Sequence, residues 1–409
     1  MDKELNKYIT LIKDYVNGSY TKNFREPLEG IFRFPYLVPG ANYSHQLWDW
    51  DSWLTGYALM GIKDPKVEEY QKGCILNFLD HVTPEGMMPI LIQNGDCWFQ
   101  PQLKPGYMGN IHKPCLAIHA YEICKRYGNV EWIRDSFDNM LRFISWYETN
   151  QYDAESGLYY WINDLAIGFD NDPTVFYRPN KSTGAIYLNS LMYSELDAIA
   201  NIAKLLGRDD VAKEYEEKAN SLKTAIQNEC FDKVDGFFYS ADLSLRKVDP
   251  NERLHSGHPR FWHSLPIKIT TWAGMLPLWN KVATQEQADK AVKHMLLEDS
   301  LWAPYGVRSV AKNEKMYGIF DTGNPSCWLG PIWINASYMT YIGLKNYGYD
   351  ELAKELAIKT ITMLGKDIEG CGEFHEYYDG DTGLGVRGKG FQSWNFLVIR
   401  MIEDLESGN

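Results

Sequence analysis

Apolar residues along this chain recur mainly at intervals of three and four positions, the spacing that places them on one face of an α-helix. Residues 2–17 show it first, with Leu5, Ile9 and Ile12 on one side. The same pattern marks residues 114–127, 131–149, 186–206, 209–228, 284–297, 331–346, 350–364 and 391–405. The pattern therefore predicts an all-α protein.

The predicted helices come in pairs joined by short turns that contain glycine. Gly128-Asn129, Gly207 and Gly348 separate three of these pairs, and a glycine or asparagine can end a helix in the left-handed conformation. Short connections favour antiparallel neighbours. Residues 239–249 could form part of a hairpin, and they are one of few strand signals. Because the composition changes nowhere, we expect one domain over residues 1–409.

Longer loops rich in aromatic residues, Gly, Asp and Pro lie between the helix pairs. They cover residues 43–53, 105–114, 161–178, 255–273, 302–333 and 373–394. One such loop occurs roughly every 60 residues, which is about the length of two helices with their connections. A ring of six helical hairpins, an (α/α)6 toroid, would bring all of these loops to one end. The alternative is a generic helical array with scattered loops.

Charge and cysteine content narrow the class of protein. The net charge of −13 disfavours nucleic acid and anionic membranes as partners. The charged N-terminal segment lacks the apolar core of a signal peptide, and no apolar run reaches the ~18 residues that cross a bilayer. The seven cysteines are odd in number and form no C-x-x-C pair, which argues against disulfides and structural zinc. We therefore expect a cytoplasmic protein.

The aromatic content points to one class of ligand. The chain has 14 Trp, 27 Tyr and 17 Phe. Trp and Tyr offer flat apolar faces with a polar edge, which suit the apolar face and polar rim of a sugar ring. An aromatic core explains the same composition equally well. Hydrolysis of a glycosidic bond further requires two carboxyl groups on opposite sides of the bond, so carboxylates in the aromatic loops become the candidates.

The first candidate carboxylate is Asp170, in a segment too rich in Gly, Pro and Asn for a helix interior. Its neighbours Ile167 and Phe169 could exclude water and keep the carboxyl protonated, as a general acid requires. For Asp164 and Asp172 we favour a role in turns.

The second candidate segment, residues 372–385, holds Glu373 and Glu376 among aromatic residues, and the pattern alone does not choose between them. Asp379 and Asp381 flank a glycine and predict a turn. The turn resembles the start of a calcium loop, but the acidic closing residue is absent, so no metal is predicted. The chain also lacks phosphate-binding and dinucleotide motifs, and we expect no cofactor.

Two tryptophan-rich segments complete the candidate site. Residues 43–61 place three Trp and two Asp within six positions, and Asp51 or Ser52 could cap a helix that runs to Met60. An Asp beside a Trp could also accept hydrogen bonds from sugar hydroxyls while the indole stacks on the ring. In residues 324–339, Trp328 and Trp333 flank Gly330-Pro331, although core packing would explain either indole as well.

At these loops the chain resembles glycoside hydrolase family 63 and the related trehalase-like enzymes with an (α/α)6 toroid. Residues 48–52 (WDWDS) resemble the family's W-x-W-D-S block, and residues 168–173 (GFDNDP) resemble G-M-D-N-S-P. Residues 328–335 (WLGPIWIN) resemble W-R-G-P-V-W-x-N, and residues 376–383 (EYYDGDTG) resemble E-N-Y-N-P-x-T-G. The four blocks occur in the family's order over nearly the whole chain. Compact bacterial members, such as mannosylglycerate and glucosylglycerate hydrolases, are the most similar.

The resemblance implies Asp170 as general acid and selects Glu376, rather than Glu373, as general base. It also implies that the block around Trp50 and Asp51 holds the terminal sugar. The predicted substrate-binding residues are Tyr43, Gln46, Trp48, Trp50, Asp51, Lys113, Phe169, Asn171, Trp328, Gly330, Trp333 and Trp394.

Three departures from the family pattern fall where the leaving group is expected. Leu329 stands where the family often has Arg, Asp172 replaces a small Ser, and Lys113-Pro114 stands where Q-P-P is common. Lys113 could pair with an anionic leaving group such as glycerate. The alternative is a solvated surface lysine.

We therefore expect an inverting, exo-acting α-glycosidase, an α-glucosidase in the first instance, that hydrolyses a small α-linked disaccharide or glycosylated small molecule. A disaccharide phosphorylase with Lys113, Arg178 and Lys181 around the phosphate is one alternative, as is another sugar-active toroid enzyme. A hydrolase of mannosyl- or glucosylglycerate and a non-catalytic sugar-binding protein are the others. A small saccharide is the only partner predicted, and the sequence leaves the oligomeric state open.

Overall fold

The structure of the protein is a computed structural model that describes residues 3–97, 103–245, 262–320 and 324–408. Within these residues the chain forms twelve α-helices. They are α1 Lys3–Ser19, α2 Asp49–Leu59, α3 Pro65–Asp80, α4 Leu116–Tyr127, α5 Phe137–Asn150, α6 Ile186–Leu205, α7 Asp209–Ala225, α8 Leu276–Trp279, α9 Gln285–Met295, α10 Ile334–Asn346, α11 Asp350–Cys371 and α12 Val398–Ser407.

The even-numbered helices form a closed ring. Each of α2, α4, α6, α8 and α10 contacts the next, and α12 returns to contact α2. A 3₁₀ turn at Ser393–Leu397, just before α12, packs against both α2 and α10 and helps to close the ring. Helices α1, α3, α7 and α11 pack against members of this ring. This is the (α/α)6 toroid that the helical pairs predicted.

Burial distinguishes the ring helices from their partners. Ten of the eleven residues of α2 are buried, and so are ten of the thirteen residues of α10. Only five of the seventeen residues of α7 are buried, and they follow the spacing of a single stripe. Helices α2 and α10 are covered on nearly all sides because they lie between the outer helices and the aromatic centre of the toroid.

Local sequence signals set several helix ends. Asp64 caps α3 by accepting a hydrogen bond from the backbone N–H of Lys66, and Pro65 occupies the first helical position. Thr284 begins α9 with a capping box. Gly128, with φ of +69°, ends α4 as predicted.

Other helix boundaries differ from the predictions. Helix α2 begins at Asp49, so the predicted cap at Asp51 or Ser52 is wrong, because both residues lie within the first turn. Helix α11 extends beyond residue 364 to Cys371 and ends at Gly372, with φ of +79°. The helix predicted over residues 131–149 begins as a 3₁₀ turn. Helices α3 and α8 were not predicted.

Thirteen short strands connect the helices in the described residues, and all of their pairings are antiparallel. They are β1 Phe24–Arg25, β2 Tyr36–Leu37, β3 Gln46–Trp48, β4 Leu91–Gln93, β5 Tyr152–Asp153, β6 Leu158–Tyr159, β7 Thr183–Gly184, β8 Phe231–Asp232, β9 Phe237–Phe238, β10 Ser240–Asp242, β11 Leu265–Ile267, β12 Tyr377–Tyr378 and β13 Gly385–Arg387. The strand predicted in residues 239–249 is β10, and its partners are the distant strands β7 and β11. Residues 246–249 of that prediction lie outside the described residues.

Two of these hairpins shape the loop end of the toroid. Strand β3 pairs with β4 and leads directly into α2, and β12 pairs with β13 just after Glu376. Bridges from Ile332 to both Arg308 and Tyr378 link two of the aromatic loops. No helix among the described residues is both long enough and apolar enough to cross a bilayer.

Candidate active site

A cavity of about 700 Å³ lies among the aromatic loops. This volume is in the range that encloses a small organic ligand. The residues that line it include eleven of the predicted site residues, namely Tyr43, Gln46, Trp48, Trp50, Asp51, Lys113, Asp170, Asn171, Trp328, Glu376 and Trp394. The structure thus gathers side chains more than 300 positions apart in the chain into one pocket.

Asp170 lies in a tightly turned loop on one side of the cavity. The backbone is left-handed at Gly168, with φ of +88°, and again at Asn171, with φ of +61°. The amide of Asn324 donates a hydrogen bond of 3.3 Å to Asp170 Oδ2. Burial raises the pKa of the Asp170 carboxyl, whereas the amide of Asn324 and the charge of Lys113 oppose this shift. Water exclusion therefore favours a protonated carboxyl here, as the sequence led us to expect.

Glu376 approaches the cavity from the segment that leads into β12. Its backbone N–H donates to the carbonyl of Arg387 at 2.7 Å, and the residue is only 7% exposed. Burial, followed by the nearby Asp51 and Asp170 carboxyls, raises the pKa of Glu376 to about 8. The Tyr43 hydroxyl donates a hydrogen bond to the Glu376 carboxylate and acts in the opposite direction. The charged form of Glu376 thus has one dedicated donor.

A third carboxyl, Asp51, faces the same cavity from the first turn of α2. It is 6% exposed and accepts a hydrogen bond of 3.3 Å from Ser393 Oγ. Burial and the neighbouring Asp49 raise the pKa of Asp51 to about 7, while Lys113 and Ser393 lower it. The sequence did not predict that the charges of Asp49 and Lys113 act on Asp51.

The ionisation of Glu376 depends on the charges of the other two carboxyls. Asp51 and Asp170 both raise the pKa of Glu376 through their charges, so the cavity disfavours three negative charges at once. No hydrogen bond joins Asp170 to Glu376 in the described structure. One protonated and one ionised carboxyl in the same cavity can supply a proton and accept another, which is the requirement for general acid–base catalysis.

Indole rings form part of the cavity wall. The Trp50 ring lies 5.8 Å from that of Trp328 and 5.3 Å from that of Trp394, measured between centroids. The indole N–H of Trp394 is buried and has no hydrogen-bond acceptor among the described residues. Flat apolar faces next to an unused donor suit a ligand with an apolar ring face and polar groups at its edge.

Three predicted substrate-binding residues lie behind this wall, and for them the prediction is corrected. Phe169 and Trp333 are fully buried. The Trp333 ring stacks on that of Trp328 with centroids 3.9 Å apart, so it supports the wall and does not form it. Gly330 packs closely against the ring of Tyr317, and a Cβ at this position would lie 2.5 Å from the ring. Core packing, the alternative considered for one of the two indoles, applies to Trp333.

Lys113 is buried and forms an ion pair, so it is not the solvated surface lysine considered above. Its side chain is 1% exposed, and its ammonium lies 2.9 Å from the carboxylate of Asp49, which is fully buried. The same carboxylate accepts hydrogen bonds from the backbone N–H groups of Trp50 and Lys113. Sequence reasoning missed the role of Asp49, although the residue stands in the tryptophan-rich block. Its partner is 64 positions away, and no local pattern could identify it.

Several cavity residues were not selected as site residues, and all of them except Asn42 lie in the predicted loops. They are Asn42, Asp164, Leu165, Ala166, Gly168, Phe176, Tyr177, Asn324, Pro325, Ser326 and Phe391. Asp164 lies at the cavity, in a bend where Asn163 accepts from the N–H of Leu165. Asp172 has the turn role expected for it, because its carboxylate accepts from the N–H and the hydroxyl of Thr174.

One side-chain group has the spacing of metal ligands in the described residues. Asp367, Cys371 and His375 bring their ligand atoms within 4.8 Å of one another. The Asp367 carboxylate already contacts His375 Nδ1 at 2.9 Å and accepts from the Tyr378 hydroxyl at 2.8 Å. The group therefore serves as a hydrogen-bonded support for the segment that carries Glu376. The predicted turn after it is present, since Asp379 accepts from the N–H of Asp381.

The chain is similar in sequence to a family of known proteins. The family model for the mannosylglycerate hydrolase MGH1-like glycoside hydrolase domain matches residues 43–394. A probable mannosyl-oligosaccharide glucosidase of Schizosaccharomyces pombe is 27% identical over 68% of this chain and 35% of its own length. A mannosylglycerate hydrolase of Thermus thermophilus is 29% identical over 40% of this chain and 32% of its own. The chain spans about 35–41% of the length of the first curated relatives that it matches.

Solved structures share the fold. A mannosylglycerate hydrolase from Thermus thermophilus, crystallised with glucose, superposes with a TM-score of 0.68 at 20% identity and covers 96% of this chain and 99% of its own. The neutral trehalase Nth1 of Saccharomyces cerevisiae reaches 0.66 at 18% identity, over 92% of this chain and 74% of its own. At these identities the agreement concerns the fold alone, and it matches the ring of helices described above.

Proposed function

The chain belongs to the family of mannosylglycerate hydrolase MGH1-like glycoside hydrolase domains, and from this premise we propose that it is an inverting, exo-acting α-glycosidase with Asp170 as general acid and Glu376 as general base. The observation that carries the proposal is the meeting of these two carboxyls, from loops about 200 residues apart, in one cavity walled by indoles. The proposed substrate is a small α-linked glucoside, either a disaccharide or a glycosylated small molecule.

In the proposed reaction, Asp170 donates its proton to the glycosidic oxygen as the bond to the anomeric carbon breaks. Glu376 removes a proton from a water molecule, and the water oxygen attacks the anomeric carbon from the opposite face. The leaving group departs as a neutral alcohol, and the sugar is released with inverted configuration. The raised pKa of Asp170 suits a proton donor. The pKa of about 8 at Glu376 means that this base ionises as the pH approaches 8, and the Tyr43 hydroxyl supports its ionised form.

The cavity wall supports an exo-acting enzyme. Trp50 offers its ring face to the terminal sugar, and Asp51 lies one position further along the chain to accept hydrogen bonds from sugar hydroxyls. Behind the wall, Phe169, Tyr187 and Trp333 fill the centre of the toroid and are fully buried. A long saccharide could not thread through this packed centre, so the terminal unit alone enters.

Proton NMR of the first product tests the stereochemistry, with Asp170→Asn and Glu376→Gln as the variants. Each variant should lower turnover of an unactivated α-glucoside by about 10²-fold or more. The wild type should release the β-anomer first. Initial release of the α-anomer would exclude inversion. Turnover by Asp170→Asn above about a tenth of wild type would exclude Asp170 as the acid.

The names of two relatives support a second candidate substrate class. One Thermus thermophilus relative is named a mannosylglycerate hydrolase. A solved structure of a mannosylglycerate hydrolase from another strain of this organism contains Tris and D-glycerate. Glucosylglycerate and mannosylglycerate should therefore be screened beside trehalose, kojibiose, nigerose and isomaltose. Preferred turnover of the charged glycosides would replace the neutral glucoside in this proposal without changing the roles of the two carboxyls.

A phosphorylase would need cations at the cavity to hold phosphate. Of the described residues that line it, Lys113 is the only Lys or Arg, and its ammonium is paired with Asp49. Arg178, the second predicted phosphate ligand, pairs with Asp242 at 2.7 Å. Lys181, the third, is exposed and does not line the cavity. These pairings favour hydrolysis, and turnover that depends on added phosphate would reverse the choice.

A further inference from the structure

A buried ion pair lies at the cavity, with Lys113 in its lining and Asp49 behind it, where the family pattern has a neutral amide. Lys113 and Asp49 are respectively 1% and 0% exposed at their side chains, and their charged groups are 2.9 Å apart. Removing two charges from water is costly, so such a pair needs further hydrogen bonds to persist. Asp49 receives them from two backbone N–H groups at 2.7 and 3.0 Å. These hydrogen bonds stabilise the charged pair in its buried position.

The stem of Lys113 lies against the loop that carries Asp170. A Cβ built on Gly168 would lie 3.0 Å from Lys113 Cε and 3.0 Å from the six-membered ring of Trp50. The backbone of the loop thus rests directly on these two side chains. The ammonium also approaches the carbonyl oxygen of Ala166 at 3.5 Å and lies 5.6 Å from the centre of the Trp50 ring. Lys113 contacts both the loop and the indole that faces the sugar.

The loop needs external support. Ala166, Gly168 and Asn171 all have positive φ, of 56°, 88° and 61°. Two of these are non-glycine residues in the left-handed region, and such conformations persist only where the surroundings hold them. Lys113, anchored by Asp49, contacts this turn at Ala166 and at Gly168. Gly168 lies two residues before Asp170.

We propose that Lys113 is a positioning residue for the general acid, which holds the 166–170 loop in place through its ion pair with Asp49, and that it does not bind the leaving group. The inference rests on the proposed function, because it assumes that Asp170 is the acid. It reverses the alternative in which Lys113 recognises an anionic leaving group. The ammonium already lies 2.9 Å from the Asp49 carboxylate, so an anionic ligand would have to compete with Asp49 for it.

The test compares two substrates that differ in their need for an acid. An α-linked disaccharide must receive a proton as its leaving group departs, whereas α-glucosyl fluoride releases fluoride without one. Lys113→Met alone would leave the Asp49 carboxylate buried and unpaired, and this variant could fail to fold. The double variant Lys113→Met/Asp49→Asn removes both charges, nearly keeps the side-chain volumes and retains one of the two hydrogen bonds from backbone N–H groups to residue 49. Its thermal unfolding is measured beside the wild type to check that it folds.

For the double variant we expect kcat on the disaccharide to fall about 10–100-fold, part of the 10²–10⁴-fold that a positioned acid contributes. Its kcat on α-glucosyl fluoride should fall less than about threefold, and KM for both substrates should stay within about threefold. Lys218→Met is the matched control, because Lys218 pairs with Glu148 on the surface, away from the cavity residues. It should leave both rates unchanged.

Three results would overturn the inference. Equal losses on both substrates would mean a merely structural role. Unchanged rates on both would mean that the loop needs no such support. A rise in KM confined to glycosides with an anionic leaving group would mean that Lys113 binds that group. The proposed function fails separately, if the wild type cleaves no α-glucoside or if Asp170→Asn remains active.

Discussion

Replacing Glu376 by Gln should inactivate the protein and yet stabilise it, by an amount that grows as the pH rises. The carboxyl lies in a cavity that excludes water and shares it with Asp51 and Asp170, so its ionised form is disfavoured. The amide of Gln has nearly the same shape, can still accept the hydrogen bond from Tyr43, and carries no charge. The variant therefore removes the cost of a buried ionisation and leaves the packing intact.

The size of the effect follows from the pKa. Folding raises the pKa of Glu376 from 4.5 to about 8. Below pH 4.5 both the folded and the unfolded chain hold the proton, so the carboxyl costs nothing. Between these two values only the folded chain holds it, and each pH unit costs about 1.4 kcal/mol. The full shift corresponds to a ceiling of about 5 kcal/mol at pH 8, against about 1 kcal/mol at pH 5.

The assay is thermal unfolding of wild type and Glu376→Gln by calorimetry at pH 5, 6.5 and 8. For a chain of 409 residues about 1 kcal/mol corresponds to roughly 1 °C, so we expect the variant to gain about 5 °C at pH 8 and about 1 °C at pH 5. Glu373→Gln is the control for loss of one negative charge, because Glu373 is half-buried three residues away and does not line the cavity. A gain that is equal at all three pH values, or larger at pH 5, would refute the reasoning.

Three further predictions concern the support of the same site. Tyr43→Phe removes the donor that lowers the pKa of Glu376, so the acidic limb of the kcat/KM profile should move to higher pH; an unmoved limb would contradict this bond. Gly388→Ala should lower kcat at least about tenfold, because its φ is +68° and a Cβ would lie 2.5 Å from that of Glu376. Gly370→Ala, in open space within α11, should leave kcat unchanged, and an equal loss would indicate a general effect. Trp333→Ala should lower the free energy of unfolding by about 3–5 kcal/mol in a denaturant titration, and an unaltered midpoint would contradict its buried position.

The helices were predictable because their signal is local. Apolar residues at helical spacing located nine of the twelve α-helices wholly or in part, a candidate cap indicated α2, and glycine turns indicated that helices come in pairs. The boundaries of α2 and α11 were missed by several residues. The start of α2 coincides with a tertiary contact, because the N–H of Asp49 bonds to the carbonyl of Ile90. The end of α11 has a local signal in Gly372, which the prediction did not use.

The two candidate carboxyls were found from their loops and from the resemblance, but their environment was not. Pattern alone left Glu373 and Glu376 equivalent. In the structure Glu376 lines the cavity, and Glu373 does not. Likewise, Trp328 and Trp333 stand in one motif, yet one forms the wall and the other supports it.

The sequence by itself determined the all-helical class, the pairing of helices, the loops that carry the chemistry and, through its motifs, the family. These properties depend on the spacing of residues within one segment or on the order of short blocks. Only the tertiary structure decided which side chains face the cavity, that three carboxyls share one electrostatic environment, and that Lys113 is neutralised by Asp49. Burial and charge coupling depend on distances between atoms from different segments, and closure of the ring alone sets those distances.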